Sequence, residues 1–317
     1  MPAVATQGRI FDPVSDSYIP ADFPHRETSG SGNAQPFAET APVISEHSVT
    51  VDAYRMRYLR SGQGPALVLI HGLLGYSFSW RFNIPVLAQH ATVYALDLIG
   101  VGFSERPRQC DRSLRATAER VLRFMGFAGI DAADVVGSSH GGGVAMLMAA
   151  VLPHRVRRLV LVAPVNPWSR HGCLRARLLG TSFGARMFRA TAPSLRFMHE
   201  FGLRQMYGDP SRIAPGTLEG YGRAVRIPGT LDHLLGIMKC WPDDMKEIEA
   251  ALPLIADIPT LLMWGSRDGA VLPSSAPKLQ RHFHNAELVI LEGAGHLPYE
   301  EVPEEFNRAL LDFLLQK

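Results

Sequence analysis

Cysteine is scarce in this chain. Cys110, Cys173 and Cys240 are its three cysteines among 317 residues, far apart and in no C-x-x-C spacing. An odd, scattered set builds neither a disulfide framework nor a thiolate zinc site, so all three read as small buried hydrophobes. Long apolar runs are missing as well. No stretch reaches the roughly 18 residues of a membrane-spanning helix, and the opening MPAVATQGRIFDPVSD lacks the basic-then-apolar layout of a secretory signal. The expected location is therefore the cytoplasm. A one-signed charge excess is also absent: the formal net charge is +2 and no nucleic-acid motif occurs, which argues against a nucleic-acid partner. Nor is there an H-E-x-x-H, a Walker loop or a G-x-G-x-x-G after a first strand, so no metal and no organic cofactor is implied.

What remains is the make-up of a globular protein, 46% hydrophobic and 20% charged. Residues 1–43 hold many Pro, Gly, Ser and Thr and no sustained period, which predicts an extended N-terminal arm. Then eight strand-like runs follow: SVTV, RMRYL, ALVLI (66–70), TVYAL (92–96), ADVVG (133–137), RRLVLVA (157–163), PTLLMW (259–264) and ELVIL (287–291). The last six are short and apolar throughout, as strands covered on both faces must be. Helical patterns such as RSLRATAERVLRFMGF and GGGVAMLMAAVL separate most of them, and EEFNRALLDFLL closes the chain. Strand and helix in alternation predict an α/β fold with a mostly parallel sheet flanked by helices. Between Pro164 and Leu252 no strand-like run occurs, only helical pieces such as PSLRFMHEFGLRQMY and TLDHLLGIMKCW. So long an interval is no ordinary loop. It predicts a helical cap, 164–252, inserted after strand six into a core formed by 44–163 and 253–317.

The stretch Gly137-Ser138-Ser139-His140-Gly141 fits G-x-S-x-G at the junction of the strand ADVV and the helix GGGVAMLMAAVL. A serine on so tight a strand-to-helix turn sits in strained backbone, and glycines two before and two after clear space for it. Ser139 is the candidate nucleophile. A serine hydroxyl needs a base to take its proton and an acid to orient that base. Asp268 lies in the loop after PTLLMW, and His296 lies in the loop after ELVIL, one strand over. His140 is too close along the chain to aim at Ser139, and His47, His282 and His284 fall on helix or surface positions. After RRLVLVA the chain reads Pro164-Val165-Asn166 and offers no carboxylate.

Four motifs in order carry a resemblance over some 270 residues: His71-Gly72-Leu73-Leu74-Gly75, then Asp97-Leu98-Ile99-Gly100-Val101-Gly102-Phe103-Ser104, then WGSRDGAV, then GAGHLPYEE. From about residue 45 onward the chain resembles the α/β-hydrolase superfamily with a helical cap between strands six and seven. The resemblance implies a triad of Ser139, Asp268 and His296, and an oxyanion hole formed by the backbone N–H groups of Leu73 and His140. It makes His71, Asp97 and Ser104 structural, although a histidine after the third strand can also be read as catalytic. His140 departs from the family's usual apolar or Gln residue, either tuning the acyl pocket or making a structural hydrogen bond. Gly141-Gly142-Gly143 costs helix propensity and reads as close packing on the sheet.

A serine at the elbow disfavours epoxide opening and halide displacement, which in capped relatives use a carboxylate nucleophile. The expected reaction is hydrolysis of a carboxylic ester, with lipid esters and acyl thioesters within reach. Two alternatives stand beside it: carbon–carbon bond hydrolysis of vinylogous diketones, and a non-catalytic ligand-binding role. Ten arginines lie between 170 and 226 against Glu200, Asp209 and Glu219. They read either as a solvated surface or, with Leu178, Leu179, Phe183, Met187 and Phe188, as a face for anionic membrane or an acidic amphiphile. The sequence leaves the oligomeric state open.

Overall fold

The computed structural model describes residues 42–169, 179–191 and 195–316. The expected arm, Cys173 and three of the cap arginines (Arg170, Arg175 and Arg177) thus lie outside the described residues, save for Pro42 and Val43. All eight predicted strands form one sheet: β1 Ser45–Val51, β2 Tyr54–Ser61, β3 Ala66–Ile70, β4 Thr92–Leu96, β5 Ala133–Ser138, β6 Val156–Val162, β7 Thr260–Gly265 and β8 Ala286–Leu291. Their order is β1-β2-β4-β3-β5-β6-β7-β8. β2 runs antiparallel to β1 and β4, and every other pairing is parallel. The run lengths explain the order of burial. TVYAL, ADVVGS and TLLMWG are buried at every position because helices cover both faces. β1 alternates instead, as a half-covered edge does. One expectation fails here: β8 is an edge strand with Glu287 and Ile290 exposed, so ELVIL is not covered on both faces.

Among the described residues, ten helices surround or follow the strands: α1 Ile84–Leu87, α2 Leu114–Phe127, α3 His140–Val151, α4 Ser182–Thr191, α5 Leu195–Met206, α6 Thr217–Val225, α7 Thr230–Ala251, α8 Ala276–Gln280, α9 Pro298–Glu301 and α10 Pro303–Leu314. Ser113 caps α2, its hydroxyl accepting from Ala116 N–H. α3 is buried from His140 through Ala149, which its apolar sequence permits and its glycines enable. A Cβ on Gly142 would lie 2.5 Å from Pro164 Cβ, and one on Gly143 2.8 Å from Val165 Cγ2. The triple glycine therefore buys close approach at the cost of propensity.

Helices α4 to α7 fill the interval between β6 and β7, with no strand among its described residues. α7 runs ten residues beyond Trp241, straight through Pro242. Proline cannot donate to the carbonyl of Met238, and Gly180 lies against that freed oxygen, where a Cβ would stand at 3.1 Å. Parallel register sets Ile70 level with Gly137, Ser138 with Val162, Val162 with Met263, and Gly265 with Leu291. The loops that leave these strands, and with them residues 71–75, 139, 266–268 and 292–296, consequently share one edge of the sheet.

Candidate active site

β5 ends at Ser138 and α3 begins at His140, leaving Ser139 alone on the turn with φ 51° and ψ −115°. A positive φ in a residue with a side chain costs about 1–3 kcal/mol, so the surroundings must impose it. They do: Ser139 N–H donates to Val162 O at 2.9 Å, and Ser139 O accepts from Gly142 N at 3.0 Å and Val165 N at 3.0 Å. Glycine is required on both sides. A Cβ on Gly137 would sit 2.3 Å from Gly141 O, and one on Gly141 2.4 Å from His71 O.

The turn after β3 lies directly against this serine, with a Cβ on Gly72 falling 3.3 Å from Ser139 Cβ. His71 pins the turn from beneath. Its Nε2 accepts from Leu98 N–H at 3.1 Å, which leaves the Nδ1 proton for Gly72 O at 2.8 Å. Leu74 adopts φ 60°, and Gly75 N–H closes the turn onto Gly72 O at 3.0 Å. Among the described residues, the N–H groups of Leu73 and His140 donate to no other group. The amide of His140 also opens α3 and so carries the positive end of its dipole. Asp97 and Ser104 are buried in a separate net: Asp97 accepts from Ser77 N, Phe103 N and Arg57, and Ser104 Oγ accepts from Arg57 N.

Asp268 and His296 meet across adjoining loops. Asp268 Oδ1 accepts from Ala270 N at 2.8 Å and Val271 N at 3.0 Å, while Oδ2 faces His296 Nδ1 at 2.7 Å. Both residues are buried. Asp268 Oδ2 acts here as an acceptor, so Nδ1 is the donor of this pair and Nε2 is the ring nitrogen left free of it. Ser139 stands at the same sheet edge, half-buried, but no hydrogen bond joins its hydroxyl to His296 among the described residues. The position after β6 holds Asn166, fully buried and spent on structure: it donates to Pro164 O and Ser275 Oγ and accepts from Trp168 N.

His140 corrects one of its two expected roles. Its Nε2 is buried without a hydrogen-bond partner among the described residues, so no such bond satisfies that nitrogen. Burial pushes its pKa down to about 3, and the ring stays neutral. His233 on α7, an unforeseen neighbour, lies flat against Gly100, likewise has an unpartnered buried nitrogen, and is lowered to about 3 by burial. Cys110 and Cys240 are free thiols, half-buried rather than in the core. Above the turn, Leu73 and Leu74 pack against the cluster of Leu234, Ile237 and Met238 on α7, as do Leu179 and Phe188. Two cavities, of about 620 and 390 Å³, open elsewhere on the surface and touch neither Ser139 nor His296.

Sequence reasoning missed a buried polar cluster on the helix that follows the His296 loop. Glu300 pairs with Arg81 at 2.9 Å and accepts from the phenols of Tyr207 (2.7 Å) and Tyr221, and Arg81 also donates to Thr217 Oγ1 at 2.8 Å. Burial and the Glu300 charge push both phenols well above their ordinary pKa, so they remain donors. The sequence signal was the YEE that ends the fourth motif, two acids directly after a turn.

A family profile described as alpha/beta hydrolase fold matches residues 65–303. The chain is 31% identical over 312 residues to a dihydrolipoyllysine-residue acetyltransferase component of an acetoin cleaving system from Cupriavidus necator, covering 98% of this chain and 76% of that protein. Among solved structures it resembles a bacterial membrane phospholipase A (TM-score 0.68, 28% identity, 86% of each chain). It also resembles a meta-cleavage product hydrolase (TM-score 0.69, 25% identity, 84% of this chain and 97% of that one).

Proposed function

The chain belongs to the α/β-hydrolase family, and from that premise we propose that it is a serine hydrolase of carboxylic esters. The hydrogen bond between Asp268 and His296 carries this reading, because it fixes a basic Nε2 at the sheet edge where Ser139 is held at positive φ. In the first half-reaction Ser139 Oγ attacks the ester carbonyl and its proton passes to His296 Nε2. The carbonyl oxygen becomes an oxyanion held by the amides of Leu73 and His140. Collapse of the adduct breaks the acyl–oxygen bond, and His296 returns the proton to the departing alkoxide, leaving Ser139 acylated. Water then attacks the acyl-enzyme, gives a proton to His296, and releases the acid as Ser139 recovers its hydrogen. The imidazolium formed in each half is stabilised by the Asp268 side chain.

The helices between β6 and β7 act as the cap, and their apolar contact with Leu73 and Leu74 favours a lipid-like acyl group. Phe183 and Met187, one turn apart on α4, are exposed beside Arg186, which supports contact of this face with a lipid-like ester or an anionic membrane surface. A p-nitrophenyl ester series from acetate to palmitate tests the proposal, with Ser139→Ala and His296→Ala alongside. Both variants are expected to lose kcat by about 10³-fold or more. Wild type inactive on every ester but active on a vinylogous diketone would move the assignment to carbon–carbon hydrolysis. Inactivity on both would leave a binding role.

A further inference from the structure

Three backbone layers touch at glycines beside the base. A Cβ on Gly265, at the end of β7, would lie 2.1 Å from Gly295 O. One on Gly295 would lie 2.4 Å from both Gly208 N and Met206 O, and one on Gly208 would lie 2.4 Å from Gly293 O. The acid strand, the base loop and the turn that follows α5 are thus stacked with no side chain between them. Hydrogen bonds hold the stack. His296 N–H donates to Met206 O at 2.6 Å. The Glu301 side chain, fully buried, accepts from Gly295 N at 2.7 Å, Gly208 N at 3.0 Å and Asp209 N at 2.8 Å. Its neighbour Glu300 reaches the same helical insertion through Tyr207 and Tyr221, but its side chain makes no hydrogen bond to the base loop among the described residues.

We infer that Glu301 is a positioning residue for His296, fastening the base loop to the 206–209 turn so that the two form one rigid body. The inference rests on the reading of His296 as the base. Its physical content is that the two peptides leading into His296 are fixed to the insertion, one directly through Met206 O and one through Glu301, rather than by the sheet alone. A shift of the 206–209 turn then moves the base relative to Ser139. Displacements of about 1 Å at a reacting group can cost 10²-fold in rate, so the coupling is large enough to matter. Glu300 serves as the internal comparison: its side chain ties down the same helices with no hydrogen bond to the loop that carries the base.

The test compares Glu301→Gln and Glu301→Asp with Glu300→Gln in the full chain. The readouts are ester turnover and the low-field proton resonance of His296 Nδ1–H against Asp268, assigned by its absence in His296→Ala. Glu301→Gln is expected to lower kcat by about tenfold or more with KM within about twofold, and to shift or broaden the resonance. Glu301→Asp is expected to recover part of the turnover, and Glu300→Gln to keep both resonance and kcat within about threefold of wild type. Equal loss in Glu300→Gln and Glu301→Gln, or an unchanged resonance in Glu301→Gln, overturns the inference. Should Glu301 variants fail to fold, amide exchange of the wild type decides. Gly208, Asp209, Gly295 and His296 are expected to exchange at one common slow rate, and fast exchange at 208–209 with protection at 295–296 overturns it. If Ser139→Ala kept full turnover, the serine reading would fall while the common exchange would stand, so the two failures are separable.

Discussion

Replacing Asp268 by Asn probes the base without disturbing the fold around it. Asp268 Oδ1 is committed to two backbone donors, Ala270 N and Val271 N, so the amide oxygen of Asn takes that place and its NH2 group turns toward His296. An NH2 cannot accept from Nδ1–H. The imidazole therefore moves its proton to Nε2, the nitrogen that must receive hydrogen from Ser139. With the wrong tautomer and no negative charge behind the ring, kcat is expected to fall by about 10³- to 10⁴-fold, or about 4–5.5 kcal/mol of barrier. Stability is expected to change by no more than about 1 kcal/mol, since both backbone hydrogen bonds survive. Single-turnover hydrolysis of a p-nitrophenyl ester, read beside a thermal melt, measures the two effects separately. A well-folded Asp268→Asn with kcat within about tenfold of wild type would refute the reasoning, because Asp268 would then not set the tautomer of a working base.

Other outcomes follow from single contacts. Gly137→Ala places a methyl 2.3 Å from backbone oxygen and is expected to cost more than about 3 kcal/mol in urea unfolding, whereas Gly126→Ala, with open space around it on α2, is expected to gain about 0.5–1 kcal/mol. Arg81→Met leaves Glu300 buried without its cation and is expected to destabilise by about 3–5 kcal/mol; a loss below about 1 kcal/mol would show that the pair is dispensable. Stability should rise from pH 3 to about 6.5, because His140 and His233 are neutral in the fold and take up protons on unfolding. Asp244 acts oppositely: burial raises it to about 7, so its contribution is lost as pH climbs from about 4 to 7, at up to about 1.4 kcal/mol per pH unit. Asp244→Asn should accordingly stabilise the protein at pH 8 and not at pH 4, as thermal melts at the two pH values would report.

Most of the sheet was legible because β-branched and leucine-rich runs of five or six residues have few alternatives in a chain that alternates with amphipathic helices. β8 was misjudged for a related reason: composition reveals apolarity but not which strand ends up at the edge. α6 escaped notice because TLEGYGRAV carries two glycines, one of which admits the ring of Phe78 at a Cβ distance of 2.3 Å, so packing overrides propensity there. α7 ran past Pro242 because its inner face, from Leu234 to Ile248, is buried on both sides of the proline. At the site, the meeting of Asp268 and His296 could be read from strand order, since each lies within five residues of the end of its strand. Glu300 and Glu301 could not. Two adjacent acids read as a solvated surface until distant partners, Arg81, Tyr207, Tyr221 and the 208–209 amides, are brought to them by the fold.

The central claim is that Ser139 is a nucleophile activated by His296. Its most direct test is intact-mass spectrometry after exposure to a fluorophosphonate, followed by peptide mapping. One adduct is expected, on the peptide containing Ser139, lost in Ser139→Ala and formed at least about 10²-fold more slowly in His296→Ala. No adduct on folded wild-type protein, or an adduct on Ser138 or another residue at an equal rate in both variants, would contradict it.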